Sequence, residues 1–476
     1  MNDNTYHNQN QSLVLPQVNI FTMFRLGLFQ MGLSMMSILT LGVLNRVMIQ
    51  EIAIPATLVA FMLALPLFVS PTRILFGQMS DARPLWGYHR TSYVWLGAAI
   101  FAIAAFCAVQ VIWQLNAANI GESWVWTSQT MAWTAVLGLV FVVYGLAICA
   151  SGTAFAALLV DISETDNRSQ VVGIVWSMLM VGIIVGAIIS SSLLNKLTAN
   201  APIEILQAAI NRLFQIIPAL VFCLAIVATL GVEKKYSRFF HRSTPENRED
   251  SITLGGAWKI LTASPQTGLF FTFLLVMTIS LFMQDPILEP YAGQVFKMPL
   301  AESTKLNVFY GTGILISYGI TGFLIVPRLG KRKTIKLGCI LVAIAALLLG
   351  FSGFSANPLV LKSTLVLFGL ATGFVTTAAV SLMLDLTIAE VAGTFIGAWG
   401  LAQSISRGIA IVIGGTILDI GRKLLPDNLV LAYGLVFALE ALGMLISIAF
   451  LNRVNVTEFQ TNTKQALASV LESDLD

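Results

Sequence analysis

Charge is scarce in this sequence of 476 residues, where charged residues make up 11% and hydrophobic residues 57%, and the mean hydropathy is +0.82. That shortage excludes a soluble domain, which needs far more polar surface. Short alternating strands are also missing, and their absence excludes a transmembrane β-barrel. The chain is therefore expected to be an all-α integral membrane protein.

Histidine and cysteine are rare as well. The three histidines (His7, His89, His241) lie outside the apolar runs, so no histidine array inside a membrane can ligate haem or chlorophyll. The four cysteines all lie within apolar runs, which favours neither a disulfide framework nor a metal cluster. Because no nucleotide-binding loop, zinc motif or nucleophile with its base is present, we expect no enzyme, no tightly bound cofactor and no nucleic-acid partner.

Long apolar runs are what the sequence has in abundance. Twelve runs of about 20 residues predict twelve transmembrane helices, because this length crosses the hydrocarbon core. The expected spans are Phe21–Leu44, Pro55–Phe76, Ser92–Trp113, Met131–Ala150, Val171–Leu194, Leu213–Gly231, Gln266–Leu288, Val308–Val326, Thr334–Phe354, Leu359–Leu384, Phe395–Leu418 and Leu429–Leu451.

The longest polar interruption, Glu233–Ser264, divides the runs into two groups of six and begins EKKYSRFFHRSTPENRED. A basic segment of this size is held on the cytoplasmic side, and the loops assigned to that side hold roughly twice as many basic residues as the opposite loops. We therefore expect both termini in the cytoplasm. The expected domains are a disordered tail (1–20), a six-helix bundle (21–232), the basic loop (233–264), a second six-helix bundle (265–452) and a tail (453–476).

The two groups of runs also repeat each other. At one constant offset and without gaps, Gly145 matches Gly369, Asp161 matches Asp385 and Gly173 matches Gly397. The matched acids lie outside the apolar runs, where chance similarity is less expected. Corresponding elements in the same order indicate parallel repeats, as in the two halves of the major facilitator fold.

The loop after the second run supports that fold. It reads GQMSDARPLWGYHR, from Gly77 to Arg90, and its spacing of Gly, Asp, Gly and a base resembles the signature loop of major facilitator transporters. Gly77 is expected to allow close helix approach, and Gly87 to permit a turn. Asp81 is expected to meet a helix N-terminus or a base across the gap between the halves, and Arg90 to hold the cytoplasmic face. The equivalent later loop has Pro327 where the acid would be.

A second polar motif, MQDPILEPYAGQVF, stands at the outer end of the seventh run and holds Asp285 and Glu289. Pro286 disfavours helix at the residue before it, so we expect the helix to break there and Asp285 to cap a short following turn. Two acids on a broken helix suit a site for a cation, a proton or a polar ligand edge. The alternative, which spacing alone favours, is that both acids face water in an outer loop.

A third polar pair lies deep in the last two runs. Arg407 and Glu440 stand near the middle of neighbouring antiparallel spans, and either ion alone would cost about 2.5–3.5 kcal/mol there. We therefore predict that they pair with each other or face a polar cavity, as a structural ion pair or as a proton-coupling or ligand site. Gln403 and Asn45 are expected to make helix–helix hydrogen bonds.

Five stretches together resemble the PucC family, the bacteriochlorophyll-delivery family of the major facilitator superfamily. The most specific is QDPILEPYAGQVF, followed by the Asn-Arg pair after the first run; the resemblance covers about Val18 to Leu451. The five stretches are RLGLFQMGLS (Arg25–Ser34), GVLNRVMIQEIAIPATLVA (Gly42–Ala60), the signature loop, QDPILEPYAGQVF (Gln284–Phe296) and WGLAQSISRG (Trp399–Gly408).

This resemblance implies a phototroph protein that handles chlorophyll-type pigment during assembly of light-harvesting or photosystem complexes. It implies a plasma or photosynthetic membrane as the location. It also implies functional roles for Asp285, Glu289, Asn45, Arg46 and Arg407. Without a membrane histidine, the axial magnesium ligand would be Gln, Asn, Glu, a carbonyl or water, so chlorophyll or bacteriochlorophyll would bind only transiently. Two alternatives stay open, a proton-coupled secondary transporter of a small solute and a non-transporting scaffold for antenna polypeptides.

Overall fold

A computed structural model of the chain describes residues 18–119, 124–163, 168–195, 202–237, 265–385, 392–455 and 458. Twelve main helices carry the fold. They are α1 (Ile20–Ser37), α2 (Ala56–Phe68), α3 (Thr91–Ala118), α4 (Ser128–Ile162), α5 (Arg168–Leu194), α6 (Ile203–Thr229), α7 (Pro265–Phe282), α8 (Leu306–Ile320), α9 (Lys331–Ser355), α10 (Pro358–Asp385), α11 (Ala392–Leu424) and α12 (Leu429–Arg453). The expected all-α membrane fold, with two six-helix halves, is confirmed.

Ten of these helices, with the turns that extend some of them, are long and apolar enough to cross a membrane. The other two, α7 and α8, are interrupted. The α-helix of α7 ends at Phe282 and resumes as the short helix Leu288–Phe296, while α8 passes into a π-helical turn at Thr321–Ile325. Interrupted membrane helices are tolerated where protein or a cavity, rather than lipid, satisfies the freed backbone groups.

Several helices run further than the apolar runs predict. After α1 the chain stays helical through the π-helical turns Ile38–Leu44 and Val47–Glu51, where a loop was expected after Leu44. Val232–Tyr236 form one more helical turn after α6, so the basic loop begins later than expected, and 238–264 lie outside the described residues. Hydropathy marks only the part of a helix inside hydrocarbon, whereas backbone hydrogen bonding continues wherever its ends find partners.

The helices alternate in direction, which defines two faces. The terminal face is the one where α1 begins and α12 ends, and the distal face is the opposite one. Contacts at the helix ends agree with this arrangement: Arg25 donates to the Val227 carbonyl at 2.7 Å on the terminal face. Arg332, also on that face, donates to the Leu451 carbonyl at 2.9 Å.

The sequence repeat has a structural counterpart. A Cβ atom added to Gly145 on α4 would lie 2.5 Å from the Pro66 Cα of α2, and one added to Gly369 on α10 would lie 2.3 Å from the Tyr310 carbonyl of α8. The matched glycines therefore bring equivalent helix pairs together in the two halves, as small residues do in membrane bundles. Between the halves, α2 packs on α11 and α5 packs on α8.

The signature loop closes the terminal face of the first half. Gly87 has φ +77°, which confirms the predicted turn, because a residue with a side chain is strained there. The predicted close approach at Gly77 is wrong: Gly77 lies on the short helix Arg73–Ala82 that follows α2, and an added Cβ there would meet Thr153 of α4 at an ordinary 3.6 Å. The side chain of Asp81 lies outside what the structure describes.

Arg90 anchors this loop to α4. Its Nε donates to Asp161 Oδ2 at 2.9 Å and its Nη1 donates to the Ser80 hydroxyl at 2.6 Å. Glu233, which the sequence placed in a solvated loop, is buried here. Its carboxylate accepts the backbone N–H of His89, Arg90 and Thr91 at 2.7–3.2 Å and so caps the N-terminus of α3.

Candidate functional site

The break in α7 is the centre of the polar site. After Phe282 the chain turns through Met283–Ile287, with the amide of Asp285 donating to the Phe282 carbonyl at 3.2 Å. The predicted break at the residue before Pro286 is therefore confirmed. The predicted cap is wrong, because Ile287 occupies the N-cap position of the following helix and no side chain bonds its first turn. The Asp285 carboxylate is used elsewhere.

Asp285 binds Arg407 across the interface of α7 and α11. Arg407 Nη2 lies 2.7 Å and Nε 3.2 Å from Asp285 Oδ2, and Gln284 Nε2 donates to Oδ1 at 3.0 Å. The guanidinium also stacks over the Phe282 ring, 4.5 Å from its centroid. The alternative in which Asp285 faces water in an outer loop is wrong: its side chain is 11% exposed, while that of Arg407 is 35% exposed.

Glu440, the remaining acid of the predicted pair, has a different environment from Asp285. It is fully buried on α12, and neither carboxylate oxygen has a hydrogen-bond partner among the described residues. The predicted pairing with Arg407 is therefore wrong, because equal depth in the membrane did not place the two side chains on facing sides. One turn further along α12, an added Cβ at Gly443 would lie 2.1 Å from the Ser280 hydroxyl, so this face of α12 packs closely against α7. Gln403 lies half-buried one turn before Arg407 on α11.

Asn45 and Arg46 join the two halves at the distal face. Asn45 Nδ2 donates to the Pro286 carbonyl at 2.6 Å, at the break itself. Arg46 is 1% exposed, and its guanidinium donates to the Met298 and Pro299 carbonyls at 2.7 and 3.2 Å and to the Ser303 hydroxyl. The expected helix–helix hydrogen bond of Asn45 is confirmed, whereas the expected place of Arg46 in an outer loop is wrong because α1 continues past it.

Glu289 is buried at the same junction and is 3% exposed, so the water-facing alternative is wrong for this acid too. Its Oε1 accepts a hydrogen bond from Asn307 Nδ2 at 2.7 Å and lies against Gly42, where an added Cβ would be only 2.3 Å from it. Its Oε2 has no hydrogen-bond partner within the described ranges. A glycine at this point of the first half therefore makes room for an acid of the second half.

Asp419 was missed by the sequence reading, although it adds a further link between the halves. From α11 its carboxylate accepts the backbone N–H of Ala56 at 3.1 Å and both the N–H and the hydroxyl of Thr57 at 2.7 Å. It thereby caps α2 of the other half, because no side chain within α2 fills that position. In the sequence Asp419 stands three residues before the base Arg422, and nothing in that spacing indicates a partner as distant as Thr57.

A cavity of about 570 Å³ opens beside these contacts on the distal face. Gln50 and Met298 line it together with a polar cluster in which Arg422 Nη2 and the Tyr433 hydroxyl donate to Gln294 Oε1 at 2.7 and 2.8 Å. The hydrogen bonds of Asn45, Arg46 and Asp419 all cross between the halves at this end. The structure therefore shows a state in which the distal face is closed.

A second concavity lies outside the bundle, between α3 and α6. It has a volume of about 460 Å³ and is lined by apolar residues, including the rings of Phe106, Phe214 and Phe222. Gln215 is the polar residue in its wall, and its side chain is exposed on the membrane-facing surface. It stands close to the middle of the 27-residue α6, where an exposed amide has no water to bind.

Two six-helix halves, closed against each other at one face and carrying ionisable groups on broken α7, define a membrane protein of the major facilitator fold. Among solved structures, the chain is similar to a bacterial homologue of the human lysosomal transporter Spinster in an inward-facing and unoccupied conformation. The TM-score is 0.68 at 13% identity, over 93% of this chain and 98% of that chain.

The family follows from sequence. Residues 43–459 match the model of the PUCC protein family, and the chain belongs to that family. Protein PucC of Rhodobacter capsulatus is 28% identical over 451 residues, which cover 91% of this chain and 92% of the relative. A protein of the same organism named Bacteriochlorophyll synthase 44.5 kDa chain is 30% identical over 89% of this chain and 93% of its own length.

Proposed function

We propose that this protein is a membrane carrier for a chlorophyll-type or bacteriochlorophyll-type pigment, which it delivers to light-harvesting or photosystem complexes during their assembly. The observation that carries the proposal is the match to PucC relatives over nearly the whole chain, one relative being named for bacteriochlorophyll. The transporter fold supports a carrier rather than a catalyst. Its partners are the bilayer, the pigment and polypeptides of the receiving complex.

The chemistry of a chlorin fits a lateral site better than a water-filled one. A chlorin is planar and apolar and carries a long tail, so it reaches a carrier through the membrane rather than through water. The groove between α3 and α6 offers aromatic rings for the macrocycle, and Gln215 offers a side-chain carbonyl oxygen as a weak axial ligand for magnesium. Weak ligation suits a carrier, because the load must be released.

The orientation belongs to the same proposal. The basic residues between α6 and α7 support a cytoplasmic position for the terminal face, with both chain ends. The membrane is then the plasma membrane or a thylakoid or intracytoplasmic membrane of a phototroph. The site described above closes the face turned away from the cytoplasm.

The first experiment is to purify the protein from its host in mild detergent, record its absorption spectrum and extract the pigment. A stoichiometric chlorin band is the expected result. A colourless protein that brings antenna polypeptides with it would replace the proposal with a scaffold role. A colourless protein without partners would favour transport of a small solute.

The groove is tested by a variant. Gln215→Leu should lose most of the bound chlorin and shift the absorption of the remainder, since the axial ligand is removed while the apolar wall is kept. Gln114→Leu is the matched control, because Gln114 is also an exposed glutamine on α3 but does not line the groove. Equal chlorin content in the wild type and Gln215→Leu would show that the groove holds only lipid.

A further inference from the structure

Within the described part of the chain, four buried polar atoms without hydrogen-bond partners lie where the helical segment that follows α1 meets the broken α7. They are Asn45 Oδ1, Arg46 Nε, Gln50 Oε1 and Glu289 Oε2. Buried polar atoms are nearly always paired, and a group of exceptions within one junction indicates a place for a water molecule, an ion or a proton. Gln50 lies in the π-helical turn Val47–Glu51, and Asn45 and Arg46 lie between that turn and the π-helical turn Ile38–Leu44. Such π-helical turns are frequent at functional sites.

Glu289 has no counter-ion in contact. Arg46 is the cation nearest to it in this junction, but its guanidinium is bound to two backbone carbonyls and to Ser303. No salt bridge joins the two side chains in the part of the chain that the structure describes. An ionised carboxylate buried without a direct ion pair would be costly, and this cost favours the protonated, neutral form of Glu289 in the closed state.

The other ionisable groups around this carboxyl are accounted for. From α1, Arg46 and Glu51 face the junction, and from α12 the Tyr433 hydroxyl acts on Arg46. On its own segment, Asp285 is bound to Arg407. The neighbouring α8 presents the neutral Asn307. Among these groups, the charge of Arg46 acts on Glu289, but the two side chains form no direct ion pair.

The distal cavity gives the junction a route to water. Gln50 and Gly293 line that cavity. An added Cβ at Gly293 would lie 1.8 Å from Gln50 Oε1 and 2.8 Å from Arg46 Cζ, so these residues form one thin wall. The Arg46 guanidinium lies against this wall and its charge also acts on Glu289, so Arg46 connects the cavity with the carboxyl group.

We propose that Glu289 is a proton-binding site that exchanges its proton through the distal cavity, and that loss of this proton opens the distal face. The proton passes to water in the cavity and leaves a carboxylate at the junction. That charge draws in water or Arg46, and Arg46 can pair with it only by releasing the carbonyls of Met298 and Pro299. Either response weakens the contacts between the halves. Release of the proton then supplies the free energy that opens the distal face, whichever cargo the carrier binds.

Distance measurements between spin labels test this proposal. Ile203 and Asn357 are exposed positions at the distal ends of the two halves, and cysteines there can carry the labels after the four native cysteines are replaced. The ratio of open to closed molecules is expected to rise by up to about tenfold per pH unit as the pH approaches the titration midpoint of Glu289 in the closed state, and to level off above that midpoint. Glu289→Gln should keep the closed distance at every pH, because the amide mimics the protonated acid.

Glu302→Gln is the matched control, since this exposed acid lies on the short helix Leu300–Thr304 and should leave the pH response unchanged. A wild-type distance that does not change with pH would overturn the proposal. So would a response that survives in Glu289→Gln or disappears in Glu440→Gln, which changes a second buried acid, one whose two carboxylate oxygens have no hydrogen-bond partner among the described residues. Glu289→Asp, which keeps a titratable group, should retain the response and shows that loss of folding is not the cause.

Discussion

Replacing Asp419 by Ala should shift the protein toward a state open at the distal face. Its carboxylate accepts three hydrogen bonds from the first turn of α2, and all three cross from one half to the other. They exist only while the halves are closed together at this end. Their loss therefore changes the balance between closed and open states more than it changes the stability of either half.

The magnitude follows from known contributions. Losing an N-cap acceptor costs about 1 kcal/mol, and losing the hydrogen bond to the Thr57 hydroxyl costs about 1 kcal/mol more. In the open state water already accepts hydrogen bonds from these donors in place of the carboxylate, so the substitution destabilises the closed state alone, by about 2 kcal/mol. At about 1.4 kcal/mol per factor of ten, the ratio of open to closed molecules should rise roughly thirtyfold.

The spin-label pair at Ile203 and Asn357 reports this ratio directly. Asp419→Asn should give a smaller shift, because the amide keeps one oxygen acceptor for α2. Asp427→Asn is the control, since Asp427 is exposed in the turn between α11 and α12. The reasoning would be refuted if Asp419→Ala left the distance distribution of the wild type unchanged, or if Asp427→Asn moved it equally.

Two further predictions concern stability. Arg407→Gln and Asp285→Asn should each lower the unfolding temperature in detergent more than the double variant does. A single change leaves the partner unpaired, whereas the double change removes both charges. If the losses of the two single variants simply add in the double variant, a direct ion pair is contradicted. Glu233→Ala should speed hydrogen exchange at the first amides of α3 by about tenfold or more, since the buried acceptor of three N–H groups is lost. Glu233→Gln should give a smaller increase, and equal exchange in all three proteins would count against the cap.

The fold was largely readable from the sequence, because a membrane imposes its own length and polarity on each crossing helix. The twelve runs, the division after α6 and the match of Gly145 with Gly369 all have structural counterparts. The break before Pro286 was readable too, because proline restricts the residue in front of it. The two most specific stretches of the family resemblance, the Asn-Arg pair and QDPILEPYAGQVF, are ones that the structure places at the junction of the halves.

The partners of the polar residues were not readable. Arg407 and Glu440 lie at similar depth, yet helix rotation turns Arg407 toward Asp285 and leaves Glu440 behind α7. In the sequence Glu233 is part of a charged loop. In the fold it is buried, and its carboxylate accepts three backbone amides at the N-terminus of α3. Spacing along one chain says which residues share a helix face and nothing about which helix that face meets.

The sequence by itself determined that this protein spans a membrane with two related six-helix halves, because hydropathy and the repeat are local properties of the chain. Only the tertiary structure decided that Asn45, Arg46, Glu289 and Asp419 form one junction that closes the distal face. Each of these side chains finds its partner more than a hundred residues away or on another element. Such contacts follow from how helices rotate and pack against one another, which no stretch of the sequence specifies alone.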